Sequence, residues 1–310
     1  MTARDPPVIH PAAPPNSLSI DELRIRPDAG GEVLVTPARA GWRYLSFRTR
    51  WLRDEEEVRV GGPDTEAAVV LIAGGGAALR RHSGPEPWLD GRDNPFAGLP
   101  SGWYVPAGTG ALVVGTARRD WDRTLIAIAE APVTGRAQPA RDPIKIRPGD
   151  IRVEVRGAGN ATRQINHIIT PEFPADRLEV VEVLTPSGNW SSWPPHKHDV
   201  DDMPAEAVLE EIYCYQFRRQ DAWGLQRLYR GDRSRDGAWE VRMGDVVLVT
   251  DGYHPFVAAH GDDAYYLNAL AGDRRTMAAS FDPDLDWVRA TWADLPPDPR
   301  VPLVGRPSSD

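Results

Sequence analysis

Two histidines one residue apart, His196 and His198, sit in the run Asn189-Trp190-Ser191-Ser192-Trp193-Pro194-Pro195-His196-Lys197-His198-Asp199. Side chains on an extended strand alternate with period two, so both imidazoles point to one side and can reach one ion. Downstream, Glu210-Glu211-Ile212-Tyr213-Cys214-Tyr215 places an acidic residue at the head of an apolar, aromatic strand. Gly244-Asp245 then opens a further strand that runs into Gly252-Tyr253-His254. Imidazole and carboxylate in this combination are ligand types for divalent ions. On the strand after Glu211, the residues Glu211, Tyr213, Tyr215 and Phe217 share one face, so Tyr213 stands beside whatever Glu211 touches.

The elements that must position these residues are short strands. Among 310 residues there are 30 prolines and 28 glycines, a usage that suits many strands and turns better than long helices. Strand-like runs at 42–48, 56–60, 67–73, 103–106, 110–115 and 123–129 are separated by turn chemistry such as Gly61-Gly62-Pro63 and Gly74-Gly75-Gly76, the spacing of a β-sandwich or barrel. The triple glycine lacks the Lys-Ser/Thr pair of a phosphate loop and opens no helical pattern, so it reads as a barrel corner. Further strands are expected at 164–169, 178–184, 225–229, 239–242, 246–250 and 265–271, and a short helix capped by Asp284 from Leu285 to about Ala293, with Trp287 and Trp292 packed on the barrel. The turn-rich stretch between Pro132 and Gly149 is the natural linker. The expected division is an N-terminal arm (1–17), a first barrel without a metal site (18–140) and a second barrel with one (150–300).

Charge and composition exclude some partners. A net charge of -9 argues against nucleic acid or an anionic membrane. Met1 to Pro15 has no apolar core of a signal peptide and no run approaches a membrane-spanning length, so a cytoplasmic protein is expected. The single cysteine, Cys214, falls inside a strand and reads as a buried, inert thiol.

The two halves of the motif, His-x-His with a glutamate and then a later histidine, resemble the cupin metal signature. That resemblance implies an all-β, duplicated cupin (a bicupin of double-stranded β-helix barrels) and a ligand set of His196, His198, Glu211 and His254. Three imidazoles and one carboxylate leave coordination positions open, as a catalytic site requires. One divalent ion per chain is implied, zinc first, with manganese, iron or nickel also compatible. The block from Gly188 to Asp199, with Asp245-Val246-Val247-Leu248-Val249, Gly252-Tyr253-His254-Pro255 and Tyr265-Tyr266-Leu267-Asn268-Ala269-Leu270-Ala271-Gly272, is similar to the 5-deoxy-glucuronate isomerases of myo-inositol catabolism. A related family, the 5-keto-4-deoxyuronate ketol-isomerases of pectin breakdown, shares the Gly-x-Trp and Pro-x-His-x-His parts.

This resemblance implies an aldose–ketose isomerase acting on a small sugar acid, in a homo-oligomer. Its reaction moves a proton from the carbon beside the aldehyde, and a metal there offers positive charge where negative charge develops. Glu211 and Tyr213 are the candidate proton carriers. The substrate's distant carboxylate calls for a guanidinium fork, for which Arg163 is the first choice and Arg242 the second. A cupin dioxygenase and a non-catalytic sugar-acid sensor are the competing classes. Lys197, between two ligands, points away from them. His167 reads as a satisfied core histidine, and His82 and His260 as loop residues. The acidic, proline-containing stretch from Asp199 to Leu209 is expected to be a lid.

Overall fold

Alternating apolar runs cut short by Gly, Pro and Asp dictate strands, and the computed structural model, which describes residues 18–81, 86–118, 120–133 and 141–305, is built almost wholly of them. The arm expected over 1–17, and His82, lie outside the described residues. The predicted runs reappear with edges shifted by a few residues, as in Thr65–Gly74, Arg123–Pro132, Leu178–Thr185 and Ala264–Ala271. Among the described residues the α-helix is a single turn, Pro37–Ala40.

Two large antiparallel sheets carry the fold. The first orders its six strands Ile144–Ile146, Gly102–Val105, Thr65–Gly74, Arg123–Pro132, Ser46–Arg53, Leu34–Val35. The second orders seven: Arg24–Ile25, Val246–Val249, Glu210–Phe217, Ala264–Ala271, Leu178–Thr185, Arg163–Ile169, Arg152–Arg156. A four-stranded sheet accompanies each, and the two pairs repeat one plan, the duplicated cupin. One short segment crosses over, Arg24–Ile25 pairing with Val246–Val249 of the second barrel, while Ile144–Ile146, between the barrels, extends the first.

The two barrels differ in what fills them. Inside the first, Ala67, Val69, Leu71, Trp103, Val113, Ile126 and Ile128 form a closed apolar cluster. On the other face of the Thr65 strand, Ala68, Val70 and Ile72 join a cluster containing Leu178, Val180, Ile212 and Leu267, so the large sheets are packed against each other. Each fully buried aliphatic side chain there contributes about 1.5–3 kcal/mol.

Two carboxylates, Glu66 fully buried and Glu210 half-buried, tie the barrels together reciprocally. Glu66, on the first barrel, accepts the backbone N–H groups of Asp176, Arg177 and Leu178 at 2.7, 2.6 and 2.9 Å, and the Tyr104 hydroxyl at 2.6 Å. Glu210, on the second, accepts those of Arg43, Tyr44 and Leu45 at 2.6, 2.9 and 2.7 Å. The residues occupy matching places, Glu66 opposite Ala131 and Glu210 opposite Ala271. One place further on, the first barrel has Ala67 where the second has Glu211. Arg92 adds a buried ion pair to Glu182 across the same seam.

Removing an acceptor from buried N–H groups costs about 1–3 kcal/mol per orphaned donor. Glu66→Ala is therefore expected to lower stability by at least about 3 kcal/mol in urea denaturation. Arg219→Ala, which removes an exposed pair with Asp221, should stay within about 0.5 kcal/mol. Equal losses in the two variants would contradict the clamp.

Candidate active site

Registered strands send directly opposed side chains to the same face, and the inner face of the seven-stranded sheet can be read in rows. One row runs His167, Val181, Asn268, Tyr213; the next runs Ile165, Val183, Tyr266, Tyr215; a third runs Glu179, Leu270, Glu211. This face bounds a cavity of about 390 Å³. Its other walls come from Ser192 to His198, from Met277 to Phe281, and from Arg289 and Trp292.

His198, Glu211 and His254 converge at one end, with one ligand atom from each within 4.8 Å of the others, and all three are buried. Nδ1 of His198 lies 2.9 Å from the Leu209 carbonyl and Nδ1 of His254 lies 3.0 Å from the Gly252 carbonyl. A carbonyl only accepts, so each ring holds its proton on Nδ1 and turns an Nε2 lone pair inward. Those lone pairs meet a carboxylate oxygen: Glu211 Oε2 is 2.9 Å from His198 Nε2 and 3.4 Å from His254 Nε2, and the latter atom is buried without a hydrogen bond. Three acceptors facing one another without a donor fit a cation, and the trio is a candidate metal site. His196 completes the wall, its ring 4.7 Å from that of His254 and 6.4 Å from that of His198. Burial pushes His254 down to about 4 and His196 well below the usual imidazole value, so both are neutral, as ligands must be. Burial also opposes the charged form of His198, but the Glu211 carboxylate outweighs it and raises that ring.

Backbone geometry fixes the trio. Gly252 adopts φ +81, and a Cβ there would stand 2.4 Å from the Tyr229 carbonyl oxygen, so only glycine brings its carbonyl onto His254. Ser192, at φ 50, is a non-glycine residue in the left-handed region; its hydroxyl shares a 2.8 Å hydrogen bond with the Tyr213 hydroxyl.

Away from the trio the cavity is cationic. Arg163 is 7 % exposed, and Nη1 donates to the carbonyls of Ala161 and Trp193 at 3.2 and 3.3 Å. Among the described residues no carboxylate pairs with it, whereas its neighbour Arg156 is paired with Glu154 at 2.7 Å. Burial pulls Arg163 down to about 10, still charged at neutral pH. A buried guanidinium without a counter-ion is costly, and an anionic ligand would relieve it.

Comparison with known proteins adds the identity of this arrangement. Residues 24–288 match the model of the KduI/IolB family. The chain belongs to the KduI/IolB family. Curated relatives include a 5-deoxy-glucuronate isomerase of Geobacillus thermodenitrificans, 42% identical over 264 residues covering 84% of this chain and 92% of the relative. The Geobacillus kaustophilus counterpart is 41% identical over 264 residues, covering 84% and 91%. A crystal structure of an IolB-like protein from Salmonella typhimurium superposes with TM-score 0.78 at 32% identity, covering 86% of this chain and 99% of that one. Oxalate decarboxylase of Lactobacillus farciminis, at 11% identity and TM-score 0.56 over 89% and 92%, shares the fold alone.

In this KduI/IolB family member several sequence expectations need correction. Arg242 does not reach the cavity: its guanidinium is about half exposed, pairs with Glu240 at 2.5 Å and donates to the Asp221 carbonyl. The Asp199–Leu209 stretch is no lid. Glu206 accepts the backbone N–H groups of Asp199 and Val200 and the Lys197 ammonium, Asp199 accepts the Gly252 N–H at 2.6 Å, and only Leu209 lines the cavity. Lys197 does point away from the ligands, as its alternation requires. Asp284 caps nothing; Asp286–Trp292 is a 3₁₀ turn with Trp287 64% exposed, while Trp292 lines the cavity.

Two groups were missed. His167 lines the cavity with Nε2 2.8 Å from Glu154 Oε2. Glu179 is fully buried, and neither oxygen has a hydrogen-bond partner. The signal for Glu179 was an acidic residue in an apolar run, Leu178-Glu179-Val180-Val181.

Burial lifts the Glu179 carboxyl to about 7, against an ordinary 4.5. A carboxyl raised on folding costs nothing below the unfolded value and destabilises progressively as pH climbs to the folded one, by roughly 3 kcal/mol at the plateau. Glu179→Gln should thus gain stability over the parent as pH rises from 4.5 to 7, seen as a Tm difference larger at pH 8 than at pH 5. A pH-independent difference would remove this reading. For the trio, His254→Ala is expected to strip bound metal, measured by elemental mass spectrometry on protein prepared without added nickel.

Proposed function

We infer that this chain is an intramolecular oxidoreductase, an isomerase converting 5-deoxy-D-glucuronate to 5-dehydro-2-deoxy-D-gluconate in myo-inositol catabolism. The curated relatives bear that name over most of their length. The observation in the molecule that carries it is one cavity lined by His198 and Glu211, with His254 behind them, and in the same cavity a buried guanidinium on Arg163 without a carboxylate partner. An aldehyde–hydroxyl pair and a carboxylate on one short sugar acid match those two features.

His196, His198, Glu211 and His254 would hold one divalent ion, zinc in our reading, with manganese, iron or nickel as the alternatives that elemental analysis separates. Bound there, the ion would supply positive charge beside the carbon that loses its proton. Arg163 anchors the carboxylate with its fork. Burial and the nearby Glu211 raise the Tyr213 hydroxyl well above its ordinary value, so it keeps its proton and is suited to donate to a substrate oxygen, not to abstract from carbon. Glu211 is committed to His198 and the ion, which leaves the proton carrier to another group. Arg242 has no part in the proposed site.

The setting we propose is a cytoplasmic homo-oligomer. Cys214 is a free, buried thiol that burial raises to about 12, and the edge strand Leu34–Val35 leaves Leu34 exposed. Among the described residues no helix is long and apolar enough to cross a membrane.

Purified, metal-loaded protein should convert 5-deoxy-glucuronate without oxygen or nucleotide, followed by NMR of the product. Faster turnover of the pectin-derived ketouronate would move the assignment to the sister reaction. Arg163→Ala should raise KM roughly 10- to 100-fold at unchanged metal content. An unchanged KM would place the carboxylate elsewhere.

A further inference from the structure

We propose that His167, oriented by Glu154, is the catalytic residue that carries the proton between the two carbons of the isomerisation. This rests on the isomerase reading above.

The argument begins with what lines the cavity. Its titratable groups are three arginines, three histidines, two tyrosines and Glu211. Arginines stay charged and offer no lone pair. Tyr213 and Tyr266 keep their protons, their hydroxyls engaged with Ser192 at 2.8 Å and Ser191 at 2.9 Å. His196, His198 and Glu211 belong to the proposed ligand set. His167 remains.

Its geometry is that of a base, not of a filler. Nε2 lies 2.8 Å from Glu154 Oε2, and the Arg156 guanidinium grips both oxygens of that carboxylate at 2.7 and 3.1 Å. Salt-bridging of this kind holds Glu154 near 2 despite its partial burial, so the carboxylate accepts and the imidazole proton sits on Nε2. Nδ1 then carries the lone pair, and among the described residues it makes no hydrogen bond. A base whose far nitrogen is fixed by a carboxylate is the arrangement used wherever an imidazole must move a proton. The charged groups facing the ring are Arg152, Glu154 and Arg156 from the adjoining strand. From the other side comes Val181, with Glu179 two places along the same face. Burial and the arginines keep the ring neutral near pH 7 by lowering it.

The step balances within the substrate. Nδ1 takes the proton of the carbon beside the aldehyde; that C–H electron pair becomes the C=C bond of an enediolate, and the aldehyde π pair moves onto its oxygen. The ring, whose proton exchanges with solvent at this stage, returns a proton to the former aldehyde carbon, while the neighbouring hydroxyl proton passes to the former aldehyde oxygen. One carbon is reduced and its neighbour oxidised, with no external reagent.

The test uses His167→Gln and Glu154→Gln in metal-loaded protein, with metal content and Tm as controls. His167→Gln should lose at least about 100-fold in kcat with KM within about threefold, and should stop incorporating solvent deuterium into product. Since Glu154 raises the His167 pKa, Glu154→Gln should move the acidic limb of kcat/KM to lower pH. His167→Gln with kcat within about threefold of the parent overturns the proposal, as does a change in KM alone. If that variant fails to fold, an unmoved acidic limb in Glu154→Gln overturns it instead. An inactive parent enzyme would defeat the isomerase reading itself, a different result from an active parent with an active His167→Gln.

Discussion

Three backbone N–H groups converging on one carboxylate, made twice in opposite directions, is the joint on which the second barrel's geometry depends. Glu210 holds the chain at Arg43 to Leu45, and the next residue, Glu211, turns the opposite way into the cavity. A strand alternates its side chains, so fixing Glu210 on one face fixes Glu211 on the other. The first barrel contributes no residue to the trio, yet it grips the strand that carries the carboxylate. Its own copy of the joint, Glu66, is followed by Ala67 inside a closed apolar core.

That difference between the barrels is a matter of volume and polarity. Where Ala67, Val69 and Leu71 point inward, the first barrel packs itself shut, and hydrophobic burial stabilises it. Where Glu211 and Tyr213 point inward on the same face as His167 and Arg163, the second keeps an opening lined by groups that are expensive to desolvate. The expense is tolerable because the rest of the molecule is so fully packed. Both faces of the Thr65 strand are buried, and the large sheets share one core.

How far this was legible follows from the range of each signal. His198, Glu211 and His254 come together as the cupin resemblance implied, with the His196 ring beside them, and strand positions were legible because alternation is local. Relations between distant strands were not. His167 looked like core because its partner, Glu154, is set by pairing of the Arg152 and Arg163 strands, which the residue pattern leaves open. Arg163 stood first and Arg242 second on the sequence, but only packing separates them, pairing Arg242 with Glu240 and leaving Arg163 with carbonyls alone. The Asp199–Leu209 stretch read as a lid from its length and acidity, but its charges are consumed by Lys197 and by backbone N–H groups within reach.

The placing of the two edge segments sets the order in which the molecule can be completed. Arg24–Ile25 precedes the first barrel in the chain, but its partner Val246–Val249 belongs to the second. The first barrel, by contrast, waits only for Ile144–Ile146 to close its edge. Until Val246–Val249 has been made the Arg24 segment is therefore an unmatched strand tethered to the first barrel, and its pairing follows that of Ile144–Ile146. The second half cannot be excised at the linker without losing an outer strand, since Arg24–Ile25 would stay behind with the first.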